Sequence, residues 1–138
     1  MLGSRAVSDR IGGRFMYVGL AAATIAVGLW VHIGASPLGA DARDVLGDAL
    51  WAVMIMWLVA AAAPRTPLVT RAVVALGICI AVELSQLIHT SSIDALRSTT
   101  LGHLVLGSGF DPRDLIAYAV GVAAAALLER TVVALRRA

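Results

Sequence analysis

Three acids stand where a strongly apolar sequence gives them little water: Asp48 in Gly47-Asp48-Ala49-Leu50-Trp51, Glu83 in Glu83-Leu84-Ser85-Gln86-Leu87, and Asp114 in Asp111-Pro112-Arg113-Asp114. Glu83 is the costly member. A carboxylate near mid-leaflet is disfavoured unless it is protonated, paired or in a wet cavity, so it must face other helices rather than lipid. Gln86 and His89 follow at i+3 and i+6 and fan with Glu83 across a helical sector of about 120°. Tyr118 lies one turn beyond Asp114 and shares its face. Asp94 and Arg97, at i and i+3 in the intervening stretch, would roof the same level. The expected site is therefore Asp48, Glu83, Gln86, Asp94, Arg97, Asp114 and Tyr118. Asp48, Asp114 and Gln86 suit hydrogen bonding to sugar or amine groups, and Arg97 suits a phosphate or other anion. Glu83 is the buried acid and the one catalytic candidate, as general acid or base.

Structural readings compete at several of these positions. Acids at a helix start cap free amides and complement the dipole, which accounts for Asp48 as well as a site does. Asp111, Pro112 and Asp114 sit at N-cap, N1 and N3 of a start signal, so Asp111 reads as a cap. A neutral Glu83 can tie two helices together, and an exposed Asp94–Arg97 pair contributes little. The single cysteine, Cys79, lies in an apolar run and reads as a small buried hydrophobe. His89 and His103 are 14 apart and His32 falls in another span, a spacing unlike metal motifs, so no metal is expected. Phosphate-loop, nucleotide and nucleophile-elbow motifs are missing, and no cofactor is expected.

The elements that position these groups follow from composition. Of 138 residues 59% are hydrophobic and 14% charged, with a mean hydropathy of +0.87, against about half and a quarter in soluble domains. Lipid is the natural solvent for such a chain. At about 20 residues per crossing, four spans leave about 58 residues for tails and loops, which excludes a sizeable aqueous domain. The expected fold is all-α: a polytopic membrane protein of four transmembrane helices, 1–138 as one domain, with spans at about 15–33, 45–63, 70–89 and 114–130. A short interfacial or re-entrant helix is expected between the third and fourth. The first span is too long for a cleavable leader and reads as an anchor.

Arginine placement sets the orientation. Arg5, Arg10, Arg14, Arg65, Arg71, Arg130, Arg136 and Arg137 fall in the tails and second loop or at the span ends beside them, against Arg43, Arg97 and Arg113 elsewhere. The positive-inside rule then puts both termini in the cytoplasm, in a bacterial inner (cell) membrane. The arginines form no cluster, so no nucleic-acid partner is expected. Small residues abound, and Gly121-x-x-x-Ala125 serves either packing within one bundle, the favoured reading, or a homodimer.

The segments around Asp48, Glu83 and Gln86, Asp94-Ala95-Leu96-Arg97-Ser98-Thr99, Leu104-Val105-Leu106-Gly107-Ser108-Gly109-Phe110 and Asp114 to Gly121 resemble the uncharacterised bacterial membrane family called domain of unknown function 2809. The resemblance runs from about Val45 to Leu128 in order, spacing and length. More distantly the chain is similar to the VanZ-like family. Glu83 and Gln86 fit its Glu-x-x-Gln, while Asp114 and Gly121 fit its Asp-x-x-x-Asn-x-x-Gly with Tyr118 in place of Asn. Asp48 lacks the Lys and His that accompany the VanZ-like acid. That resemblance implies a cell-envelope setting associated with glycopeptide resistance, without a defined reaction. The expectation is a polar pocket in the outer leaflet that binds a membrane lipid or a lipid-linked, amphiphilic ligand. An intramembrane enzyme acting on a lipid head group, and a small transporter or assembly partner, are the alternatives.

Overall fold

The computed structural model describes residues 2–33, 37–107 and 109–135, with side chains from residue 13 onward except those of 103, 104, 106, 133 and 135. Gly34 and Ser36 of the first loop, Ser108, Arg136 and Arg137 lie outside the described residues. The side chains of Arg5, Asp9, Arg10 and His103 lie outside the described ones.

Six helices follow in order: α1 (Leu2–His32), α2 (Ala40–Ala62), α3 (Leu68–Ser85), α4 (Ser91–Arg97), α5 (Thr100–Leu106) and α6 (Pro112–Leu135). Four contain segments long and apolar enough to cross a membrane: Gly13–His32, Ala40–Ala62, Leu68–Ser85 and Pro112–Val132. No strand occurs among the described residues. The fold is thus an all-α bundle of four membrane-crossing helices, as its composition requires. Its outer surface is apolar, with Phe15, Ile33, Val69, Val73, Ile116 and Leu127 all exposed, the arrangement that lipid rather than water selects.

Helix ends explain where the structure departs from the sequence reading. α1 extends back to Leu2, well before the apolar run, and no proline lies in the stretch ahead of Phe15 to break it. α3 stops at Ser85 instead of running to His89. There the ladder tightens into i→i+3 bonds, Gln86 N–H to Glu83 O, Leu87 N–H to Leu84 O and Ile88 N–H to Ser85 O, a common way for a last turn to close. Glu83 is therefore in the final turn of α3, not two turns inside, and His89 is an exposed loop residue rather than a third member of its helical face. The expected single short helix is two. Thr90 caps α4 by accepting from Ile93 N–H at 3.3 Å, and the Thr99 hydroxyl caps α5 by accepting from Gly102 N–H at 3.0 Å.

α2 is the central element. It packs on α1, α3 and α6, and α3 also meets α6. Ala52, Ile55, Met56, Trp57 and Ala60 are buried along it. The α2–α6 approach is closest at Gly121, where a Cβ would collide with the carbonyl of Ala49 and stand 3.1 Å from the Ala52 Cβ. Ala125, one turn on, is buried too. Gly121 and Ala125 thus pack inside the chain's own bundle. Gly121→Val should force α2 and α6 apart and cost about 1–3 kcal/mol, read as a lower unfolding midpoint of the purified protein in detergent. An unchanged midpoint would contradict the close approach.

Connectivity gives the bundle two ends. One carries the α2–α3 turn at Ala63–Pro67. The other carries α4, α5 and the start of α6, and is called the loop end below.

Candidate functional site

At the loop end α3 delivers Glu83 into the bundle, where it is fully buried. One carboxylate oxygen, Oε1, accepts the backbone N–H of Asp111 at 2.8 Å. The other accepts the Tyr118 hydroxyl at 2.9 Å and the Gln86 Nε2 at 3.2 Å. A carboxylate needs several donors to leave water, and these come from the residue that closes α3, from α6 and from the residue before α6. Gly107 makes room for Gln86. It adopts φ +67°, and a Cβ there would run into the Gln86 amide, so both backbone and space call for glycine.

Asp48 of α2 and Asp114 of α6 complete the cluster. Both are half-buried, and their side chains are neighbours beside Glu83. Donors are scarce here. Gln86 Oε1 is buried with no hydrogen-bond partner, adding one more acceptor to three carboxyls.

Five of the seven residues singled out in the sequence therefore converge: Asp48, Glu83, Gln86, Asp114 and Tyr118. Asp94 and Arg97 form a separate arrangement that closes α3. Arg97 Nη2 donates to Ser85 O at 2.7 Å and Nη1 to Ile88 O at 2.9 Å, while Asp94 is exposed and sits 3.5 Å from both Arg97 and His89. The Arg97 guanidinium satisfies carbonyls that a helix end leaves free, so two of its nitrogens are engaged by the protein. Asp111 is the expected cap, its carboxylate accepting from Arg113 N–H at 2.9 Å. That bond first, and the Arg113 side chain after it, hold the Asp111 carboxyl below its ordinary range. The part Asp111 plays at Glu83 comes from its backbone N–H, which side-chain chemistry does not advertise. Among the described residues no group of three or more His, Cys, Asp and Glu side chains is arranged to hold a metal ion.

A second buried polar cluster lies toward the opposite end of the bundle, and the sequence reading missed it. Arg71 of α3 donates from Nη2 to Glu129 Oε1 of α6 at 2.6 Å and from Nε to Thr66 O at 3.0 Å. The Tyr17 hydroxyl of α1 donates to the same Glu129 oxygen at 2.8 Å. Tyr17 also stacks on Trp57, centroids 6.2 Å apart, and lies 5.5 Å beneath the Arg71 guanidinium. Arg71 and Glu129 each look like ordinary charges at a span end. Their positions match, however: Glu83 lies twelve residues after Arg71 in α3 and Glu129 eleven after Tyr118 in α6, so two antiparallel helices linked at Glu83 and Tyr118 must meet again about 17 Å away. That arithmetic is the signal a sequence reader has available.

No solved structure matches the chain. A family model does match, over residues 40–122, from the first turn of α2 to the middle of α6, a stretch that contains the whole loop-end cluster. With more than half its length matched, the chain belongs to the family described as protein of unknown function (DUF2809).

Proposed function

We propose that this membrane protein recognises, at its loop end, the hydrogen-bond-donating head group of an amphiphilic or lipid-linked envelope molecule. The observation that carries the reading is the surplus of acceptors. Asp48, Glu83 and Asp114 arrive from three helices, and among the described residues Gln86 Oε1 has no partner while the cluster's donors, Gln86 Nε2, the Asp111 N–H and the Tyr118 hydroxyl, go to Glu83. A ligand rich in amine or hydroxyl groups supplies what is missing, with Asp48 and Asp114 as the accessible contacts. An anionic head group does not, because two Arg97 nitrogens already serve the Ser85 and Ile88 carbonyls. Recognition is preferred to catalysis because both Glu83 oxygens are engaged inside the protein. The arginine distribution supports cytoplasmic termini and an outward-facing loop end.

The test compares two probes on purified protein, dodecylamine and dodecyl phosphate, by ligand-induced rise in unfolding temperature. Dodecylamine should stabilise the parent, and Asp48→Asn with Asp114→Asn should weaken its binding at least tenfold (about 1.4 kcal/mol). Equal binding by the double variant, or a preference for dodecyl phosphate, would overturn the reading.

A further inference from the structure

The loop end lacks positive charge as well as hydrogen-bond donors. Neither Asp48 nor Asp114 forms an ion pair with an arginine or histidine among the described residues. The cation beside Asp114 is Arg113, which is exposed and held by the Asp111 carboxylate through Nε and Nη2. Arg97 serves the Ser85 and Ile88 carbonyls and Asp94. Glu83, deeper in the cluster, receives only neutral donors: the Asp111 N–H, the Tyr118 hydroxyl and the Gln86 amide. Gln86 itself is 5% exposed, and among the described residues its buried Oε1 accepts from nothing.

α2 extends the acids outward. Asp41, Asp44 and Asp48 recur at i, i+3 and i+7, within a helical sector of about 60° and along about 10 Å of axis. Asp41 and Asp44 are exposed and Asp48 is half-buried. Asp48 has Asp44 as a neighbour on one side and Asp114 and Glu83 on the other. One acidic face thus descends from the start of α2 to the buried carboxylate, and a row of one sign raises the local concentration of cations.

On the reading that the loop end recognises a donor-rich head group, we infer that this group is a primary ammonium carried by a membrane amphiphile, drawn in along Asp41 and Asp44 and held between Asp48 and Asp114. A primary ammonium brings three N–H donors and a positive charge to acceptors that lack both. A hydroxyl brings a donor without the charge. A quaternary ammonium brings the charge without a donor and is held by open aromatic faces instead. Tyr118, the aromatic residue of the cluster, is 4% exposed and its hydroxyl is committed to Glu83.

A methylation series on one tail separates charge from donors. Dodecylamine, N-methyldodecylamine, N,N-dimethyldodecylamine and dodecyltrimethylammonium all carry one positive charge at neutral pH, with three, two, one and no N–H donors. Each is titrated into purified protein in dodecyl maltoside, alongside dodecanol and propylamine, and binding is read from the rise in unfolding temperature. Affinity should fall with each methyl and be at least tenfold weaker for dodecyltrimethylammonium than for dodecylamine, and dodecanol should not stabilise. Asp41→Asn with Asp44→Asn should weaken dodecylamine about threefold at about 20 mM salt and leave it unchanged at about 500 mM, where exposed charges are screened. Equal affinity along the methyl series would overturn the inference, as would propylamine equalling dodecylamine, which would make the ligand a soluble amine. A double variant that binds like the parent at low salt would overturn the role of the acidic face. Dodecanol matching dodecylamine would overturn the ammonium and leave the loop end as a site for neutral donors, whereas no stabilisation by either would overturn both readings.

Discussion

Arg71→Ala should destabilise the bundle by about 3–5 kcal/mol, whereas Arg71→Met combined with Glu129→Leu should match or exceed the parent protein. The difference follows from what each change leaves behind. Arg71 is the charge partner of Glu129 at 2.6 Å, and both are buried, so truncating one strands the other in a medium that penalises an isolated charge. Tyr17 alone would remain to hold that carboxylate. Replacing both with apolar groups of similar volume removes charge and desolvation cost together, and such exchanges are often neutral or stabilising. The measurement is unfolding of the purified protein in mixed micelles, parent against single and double variants. If Arg71→Ala unfolded like the parent, the pair would be in water and not in the bundle. If the double variant fell as far as the single, the cluster would be needed for assembly of the fold beyond its charge balance.

The two polar clusters were not equally legible in the sequence. Four spans and their hairpin follow from hydropathy and from Pro64 and Pro67, because lipid forces every backbone group into helix and leaves few alternatives. Glu83 announces itself by being an acid in an apolar helix, and Gln86 and Tyr118 follow from helical spacing. Arg71 and Glu129 escape notice because charges are expected at span ends, and helical periodicity cannot say whether such a side chain turns outward or inward. The end of α3 is hidden from the sequence for a related reason. Leu87 and Ile88 prolong the apolar run, but Arg97, nine to twelve residues away, satisfies the Ile88 and Ser85 carbonyls, a contact between elements that no local pattern encodes. Gly107 illustrates the same limit: its positive φ serves the Gln86 side chain, twenty-one residues earlier.

Glu83→Ala should be the most damaging change at the loop end, costing about 4 kcal/mol, and Glu83→Gln should cost about 1–2 kcal/mol. Alanine removes the acceptor for three donors, the Asp111 N–H, the Tyr118 hydroxyl and the Gln86 Nε2, and leaves a void where a fully buried side chain stood. Loss of the Asp111 bond also frees the segment that starts α6, so the effect should spread to the α5–α6 connection, measurable as faster amide exchange there. Glutamine keeps the volume and one acceptor oxygen. Its new N–H₂ faces former donors, but two of them can adapt: the Tyr118 hydroxyl can turn to accept, and Gln86 can present Oε1, which has no partner in the parent. The Asp111 N–H cannot turn, so the glutamine oxygen must stay on that side, and this fixes the rotamer. An order in which glutamine costs as much as alanine would mean that ionisation of Glu83, rather than its three hydrogen bonds, holds α3 to α6. Equal stability of the parent and Glu83→Ala would place Glu83 outside the bundle altogether.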